Sequence, residues 1–172
     1  MIPRIYLAGP DVFYPDPFVQ SRQLKEICTA HGMEGVFPMD AGLDISQMSK
    51  HQAAQAIYQA NIELINGCDG MIANMEMFRG PGMDGGTAFE MGYATARGLP
   101  VVGYGARLSY LERTGSYYQG LEKQGELELD PSGLTVEDFD LVDNLMMACS
   151  AHQIVKTAQE AVIVLKSLVS KD

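Results

Sequence analysis

Apolar positions along this chain follow two alternating rhythms. Four short β-type runs stand out: Ile5-Tyr6-Leu7-Ala8, Gly35-Val36-Phe37-Pro38, Gly70-Met71-Ile72-Ala73-Asn74 and Pro100-Val101-Val102-Gly103-Tyr104. Between them lie stretches whose apolar residues fall near helical spacing. Phe18 to His31 carries Val19, Leu24, Ile27 and Cys28, and Gly32 closes it. Ser49 begins a second helix running to about Asn66, with Ala53, Ala56, Ile57, Ala60, Ile62, Leu64 and Ile65 as a broad apolar face and Gly67 as a stop. A third spans Thr87 to Arg97 and ends at Gly98. The terminal segment Gln153 to Val169 predicts a packed helix, with a short fifth strand allowed at its start. Strands alternating with helices predict an α/β three-layer sandwich: a mainly parallel sheet of about five strands, right-handed crossovers and helices on both faces. From Gly105 to Val142 both rhythms fade, and this long polar stretch predicts irregular structure serving as a lid or a subunit contact.

Composition narrows the function classes. The 172 residues fit a single domain, 1–172, with a substantial core. A formal net charge of −10 argues against a nucleic-acid partner, because clustered Lys and Arg are missing. A small uncharged ligand is easier to accommodate. No apolar run reaches membrane-spanning length, so no membrane association is expected. Cys28, Cys68 and Cys149 are odd in number and far apart, and no basic-then-apolar leader precedes the first strand. Reduced thiols in a cytoplasm are therefore expected. His31, His51 and His152 show no ligand spacing, so neither a zinc site nor another cofactor is expected.

Ligands of an open parallel sheet bind beyond the carboxyl ends of its strands. Three segments lie there: Ala8-Gly9-Pro10-Asp11, Pro38 to Asp44, and Asn74 to Gly86. The last leads into Asp84-Gly85-Gly86-Thr87-Ala88-Phe89-Glu90, a glycine-rich loop that becomes a helix, with a carboxylate on each side of the transition. Glu90 in the first turn or so would meet unsatisfied N–H groups and stay ionised. Two readings stay open on pattern alone: Glu90 as a nucleophile or as a residue chosen for the helix dipole, and Asp84 as a proton donor or as an N-cap. Gly80, Gly82, Gly85 and Gly86 would suit a phosphate cradle, but no Gly-Lys-Ser/Thr follows, so a P-loop is not matched. Strand alternation puts Tyr6 and Ala8 on one face and Leu7 on the other, where the Tyr6 phenol either bonds a nearby carboxylate or simply packs.

Taken together these residues resemble the nucleoside 2-deoxyribosyltransferase family. The matching pieces are Ile5 to Pro10, Asp69 with its following strand, Phe78-Arg79-Gly80, Asp84 to Ala94, and the separate Asn144-Leu145-Met146. The resemblance implies a flavodoxin-like fold and a dimer-based homo-oligomer, often a hexamer, whose active sites are shared between subunits. It implies that Glu90 attacks C1′ of a 2′-deoxynucleoside, that Tyr6 orients it and that Asp84 protonates the base. Asn144 and Met146 match a segment offered to the neighbouring chain's site. Asn61 stands where several relatives carry an assisting Asp. The residues expected to touch nucleoside or nucleobase are Gly9, Pro10, Phe13, Asp40, Asn61, Arg79, Gly86, Asn144 and Met146, with Met39 and Phe13 as stacking surfaces.

Cleaving an N-glycosidic bond builds positive charge on the sugar and negative charge on the base. A carboxylate that captures the sugar and an acid that protonates the base answer both needs, and a glycosyl ester lets a second base replace the first. The alternatives are a hydrolase that uses water, acting on deoxynucleosides or nucleoside 5′-monophosphates, and a catalytically silent nucleotide-binding module.

Overall fold

The computed structural model describes residues 1–169. Five parallel strands form the sheet: β1 (Arg4–Ala8), β2 (Glu34–Val36), β3 (Gly70–Asn74), β4 (Val101–Tyr104) and, at its far edge, β7 (Gln153–Val155), in the order β2-β1-β3-β4-β7. β3 and β4 are buried at every position, as expected of central parallel strands covered on both faces. The winding reverses between β1 and β3, which opens a crevice at their carboxyl ends; this is the flavodoxin-like strand order. The expected fifth strand is present as β7.

Side-chain alternation divides the core in two. Ile5, Leu7, Ile72 and Val102 pack under α1 (Pro17–Ala30) and α6 (Ala158–Val169). Tyr6, Ala8, Met71, Ala73 and Val101 face the other way, toward Met91 and Ala94 of α3 (Gly85–Ala96). The helices start where their caps dictate. Asp16 accepts from Val19 N ahead of α1, and Ser49 with Gln52 forms a capping box ahead of α2 (Lys50–Asn66). α3 begins at Gly85, two residues before the expected Thr87, because Asp84 caps it. α2 buries only Ala60 and Ile65 and leaves Ile57 and Tyr58 exposed, so most of its apolar face lies outside this chain's core.

The stretch 105–142 is more ordered than its polarity predicts. Ser109 and Glu112 form a capping box for α4 (Tyr110–Tyr118), and β5 (Glu122–Gln124) and β6 (Leu127–Leu129) pair as an antiparallel hairpin turning at Gly125 (φ +64°). Apolar periodicity misses them for a physical reason. The buried side chains of α4 are Arg113 and Thr114, and all of β5 is exposed. A short α5 (Leu145–Ala148), capped by Asn144, precedes β7. Among the described residues no helix is long and apolar enough to cross a membrane.

Ile72 is fully buried at the centre of β3 between both neighbours. Ile72→Ala should lower unfolding free energy by about 2–5 kcal/mol and Ile72→Val by about 1 kcal/mol, read as a falling urea midpoint with unchanged slope.

Candidate active site

Tyr6 reaches the crevice because β1 alternation turns it toward α3, where its Oη donates a 2.7 Å hydrogen bond to Glu90 Oε1. Since α3 starts at Gly85, Glu90 sits in its second turn, past the unpaired N–H groups of the first. Its environment is therefore set by burial more than by the helix dipole. Burial pushes the Glu90 carboxyl up to about 7, the Tyr6 bond pulls it down, and the nearby Asp84 charge adds to the rise. Tyr6 is fully buried, and burial together with the Glu90 charge raises its pKa far above the ordinary phenol value. It remains a neutral donor.

Asp84 is the N-cap of α3. Its Oδ2 accepts from Thr87 N at 2.8 Å and from Thr87 Oγ1 at 2.9 Å, so both capping bonds use one oxygen. The cap and the carboxylate pair are one arrangement.

A pocket of about 430 Å³ opens above this pair at the crevice between β1 and β3, large enough for a nucleoside-sized ligand. Gly9, Asn61, Asp84, Gly86, Thr87 and Glu90 lie along it with Phe13. Val12, Pro38, Met39, Ala41, Leu43, Ile45 and Ile57 supply apolar wall. Gly9 has to be small: a Cβ there would lie 2.3 Å from Asp11 Oδ2 and 2.9 Å from Asn74 Cβ. Asn74 Nδ2 donates to Asp11 Oδ2 at 3.1 Å, tying the end of β3 to the turn after β1. Burial raises the Asp11 carboxyl, and the Asn74 bond offsets part of that.

Other expected ligand contacts lie elsewhere. Pro10 lines a neighbouring small cleft with Phe13 and Phe78. The Asp40 carboxylate accepts from Phe37 N at 2.8 Å and pairs with Lys25 Nζ at 2.6 Å, fixing the turn whose neighbours Met39 and Ala41 face the pocket. The Arg79 guanidinium lies over Phe78 and Phe13, 4.6 and 5.2 Å from the ring centres, and is not among the lining groups. Asn144 Oδ1 accepts from Met146 N and its Nδ2 donates to Glu137 Oε1, while the Met146 side chain is exposed. Neither lines this chain's own pocket. Sequence reasoning missed Thr87, which follows the Asp-Gly-Gly turn, and the wall residues Val12, Leu43 and Ile45. The only signal for these was apolar residues within segments expected to be polar loops.

A family model for nucleoside 2-deoxyribosyltransferases matches residues 5–146, which span β1 through the Asn144-Leu145-Met146 segment. The chain belongs to the nucleoside 2-deoxyribosyltransferase family. A 2-deoxyribosyltransferase from Leishmania mexicana superposes with a TM-score of 0.73 at 26% identity, covering 96% of this chain and 97% of that one. A 2-deoxyribosyltransferase from Bacillus psychrosaccharolyticus, at 17% identity and a TM-score of 0.57 over 98% of this chain and 92% of that one, shares the fold. An uncharacterised protein of Schizosaccharomyces pombe is 38% identical over 105 residues, 60% of this chain and 50% of its own length. The match thus spans about half of that relative.

The Glu90 environment has a consequence for stability. Glu90 titrates near 4.5 when unfolded and near 7 when folded, so folding takes up a proton between those values. Its contribution therefore falls as pH rises through that window. Glu90→Gln should raise the melting temperature at pH 8, where the buried charge is relieved, and leave it nearly unchanged at pH 5, as read by thermal unfolding at the two pH values.

Proposed function

We propose that this protein transfers 2-deoxyribose between nucleobases through a covalent glycosyl-Glu90 intermediate. The observation that carries this reading is the Tyr6–Glu90 hydrogen bond at the floor of a nucleoside-sized pocket that also holds Asp84. In the first step a Glu90 carboxylate oxygen bonds to C1′ as the C1′–N bond breaks. The bond's electron pair goes to the base, which takes its proton from Asp84. In the second step a nitrogen of the incoming base attacks C1′, the ester C1′–O bond breaks and Glu90 leaves as a carboxylate. Asp84 recovers a proton from the new base. Two displacements on one centre retain configuration. Tyr6 favours charge on Glu90, the state the first step needs.

The pocket's charge bears on the substrate class. Among the described residues its lining has two carboxylates and no Lys, Arg or His. A 5′-phosphate would meet uncompensated negative charge, whereas a free 5′-hydroxyl would not. The apolar wall suits the faces of a base. Asn144 and Met146 lie off the chain's own pocket, and α2 leaves Tyr58 exposed away from the pocket lining. Both features support an oligomer in which the Asn144 segment of one subunit completes the site of another.

The test is to incubate the protein with 2′-deoxyinosine, with and without adenine, and to separate the products by chromatography. Deoxyadenosine is expected, formed only when adenine is present, and replacing the substrate by its 5′-monophosphate should sharply reduce turnover. Hypoxanthine released equally fast without acceptor would replace transfer by hydrolysis; no product in any arm would overturn the enzymatic reading. Glu90→Ala should abolish turnover and Asp84→Asn should lower kcat by ~10²–10⁴-fold. The rate should rise with pH as Glu90 ionises near 7, and Tyr6→Phe should move that rise to higher pH because it removes a bond that favours the charged form.

A further inference from the structure

The loop that delivers Asp84, residues 75–83, is held at both ends by one buried ion pair. Arg113 of α4 and Asp143 are 3% and 1% exposed, with Arg113 Nη1 3.1 Å from Asp143 Oδ2. Arg113 Nη2 donates to the carbonyl of Met75, where β3 ends, at 3.1 Å. Asp143 Oδ2 accepts from Met83 N, the residue before Asp84, at 2.9 Å. Its Oδ1 accepts from Asn144 N at 2.8 Å. Between those ends Met75 N donates to Tyr104 O, Glu76 N to Asn74 Oδ1 and Phe78 N to Gly82 O, Phe78 stacks on Phe13, and Arg79 sits at φ +58°.

A merely stabilising role is the weaker reading of this pair. A buried ion pair seldom stabilises more than well-packed apolar side chains would, because both charges are desolvated. Here Arg113 Nε is buried with no partner among the described residues, so the guanidinium sits where Met75, Val142 and Asp143 draw it and not where all its donors are satisfied. What the arrangement does accomplish is geometric. The Met83 amide is fixed one residue ahead of the N-cap, and the cap carboxylate is thereby aimed from both sides, by Asp143 behind it and Thr87 ahead.

We propose that Arg113 and Asp143 are positioning residues that hold Asp84 in register for proton transfer to the departing base, a role that rests on the reading of Asp84 as the proton donor. Because Asp143 also holds the amide of Asn144, the donor loop and the Asn144 segment are set by the same carboxylate.

The test compares two leaving groups in single-turnover base release. Hypoxanthine leaving 2′-deoxyinosine needs a proton; 7-methylguanine leaving 7-methyl-2′-deoxyguanosine departs neutral without one. Asp143→Asn keeps the side-chain shape and removes the charge. It should slow hypoxanthine release by ~10²-fold, the scale of a misplaced catalytic group, and 7-methylguanine release by less than ~3-fold, as expected when no acid is needed. Asp84→Asn should show the same selectivity. Equal losses on both substrates, or none, in Asp143→Asn while Asp84→Asn remains selective would overturn the positioning role alone. An Asp84→Asn variant without selectivity would overturn the donor reading and the positioning role with it. The double variant Arg113→Met/Asp143→Leu, which leaves no unpaired buried charge, should repeat the selective loss; an unselective effect overturns the proposal. Amide exchange of the wild-type protein reads the clamp without any variant. The Met83 amide should be strongly protected, and exchange at the rate of an open loop amide would overturn the proposal.

Discussion

The Tyr6–Glu90 hydrogen bond is the constraint on which the rest of the site depends. It joins a strand side chain to a helix side chain 84 residues away. A carboxylate in an apolar crevice is costly unless a donor meets it, and here the donor is a phenol that burial keeps protonated. For the bond to form, β1 must present Tyr6 to α3 and not to α1, which the two-residue alternation of the strand decides. In addition, α3 must begin at Gly85, so that Glu90 falls over the strand end. The switch in winding between β1 and β3 then leaves the space above the bond free of a crossover helix.

β1, β3 and β4 were legible in the sequence because they are near-continuous apolar runs bounded by glycine or proline, whereas the edge strands β2 and β7 are short and each carries an exposed polar residue. Parallel strands covered on both faces carry that signal most strongly. The helices on either side showed the 3.6-residue rhythm for the same reason. The stretch 105–142 was not legible because, Val136 aside, what it buries is polar. Arg113, Thr114 and the adjoining Asp143 are interior side chains that bond one another or the backbone, and an apolar count assigns such residues to the surface. Its helix start was written in Ser109 and Glu112, a local signal independent of hydrophobicity.

The candidate site divides along similar lines. Tyr6, Asp84 and Glu90 stood out because motif and strand alternation are local properties; Asp84 and Glu90 line the pocket with Gly9, Phe13, Asn61 and Gly86, and buried Tyr6 bonds Glu90. Asp40 and Arg79 were expected among the ligand contacts, but each has a local partner: Lys25 and the Phe37 amide for Asp40, and the Phe13 and Phe78 rings for Arg79. Such competition is decided by side-chain reach across turns, which spacing does not encode. The expected first-turn setting of Glu90 failed because Gly85 and Gly86 look like loop, yet a capping aspartate recruits them into the helix.

That capping bond also changes how Asp84 is to be understood. Cap and proton donor look like competing roles in the sequence, since an N-cap is the commoner use of an Asp before two glycines. The geometry removes the competition. Both capping bonds, from Thr87 N and Thr87 Oγ1, fall on Oδ2. In the proposed reaction the transferred proton leaves from Oδ1, the oxygen that Thr87 leaves free, because a proton on Oδ2 would weaken both capping bonds. In the proposed reaction the cap is then an orienting device: it fixes the plane of the carboxyl and selects the oxygen that carries the proton. Thr87 supplies this from the helix side, and the Asp143–Met83 bond supplies it from the loop side. The helix start and the pocket-lining carboxyl are one arrangement, because the bonds that begin α3 also orient Asp84.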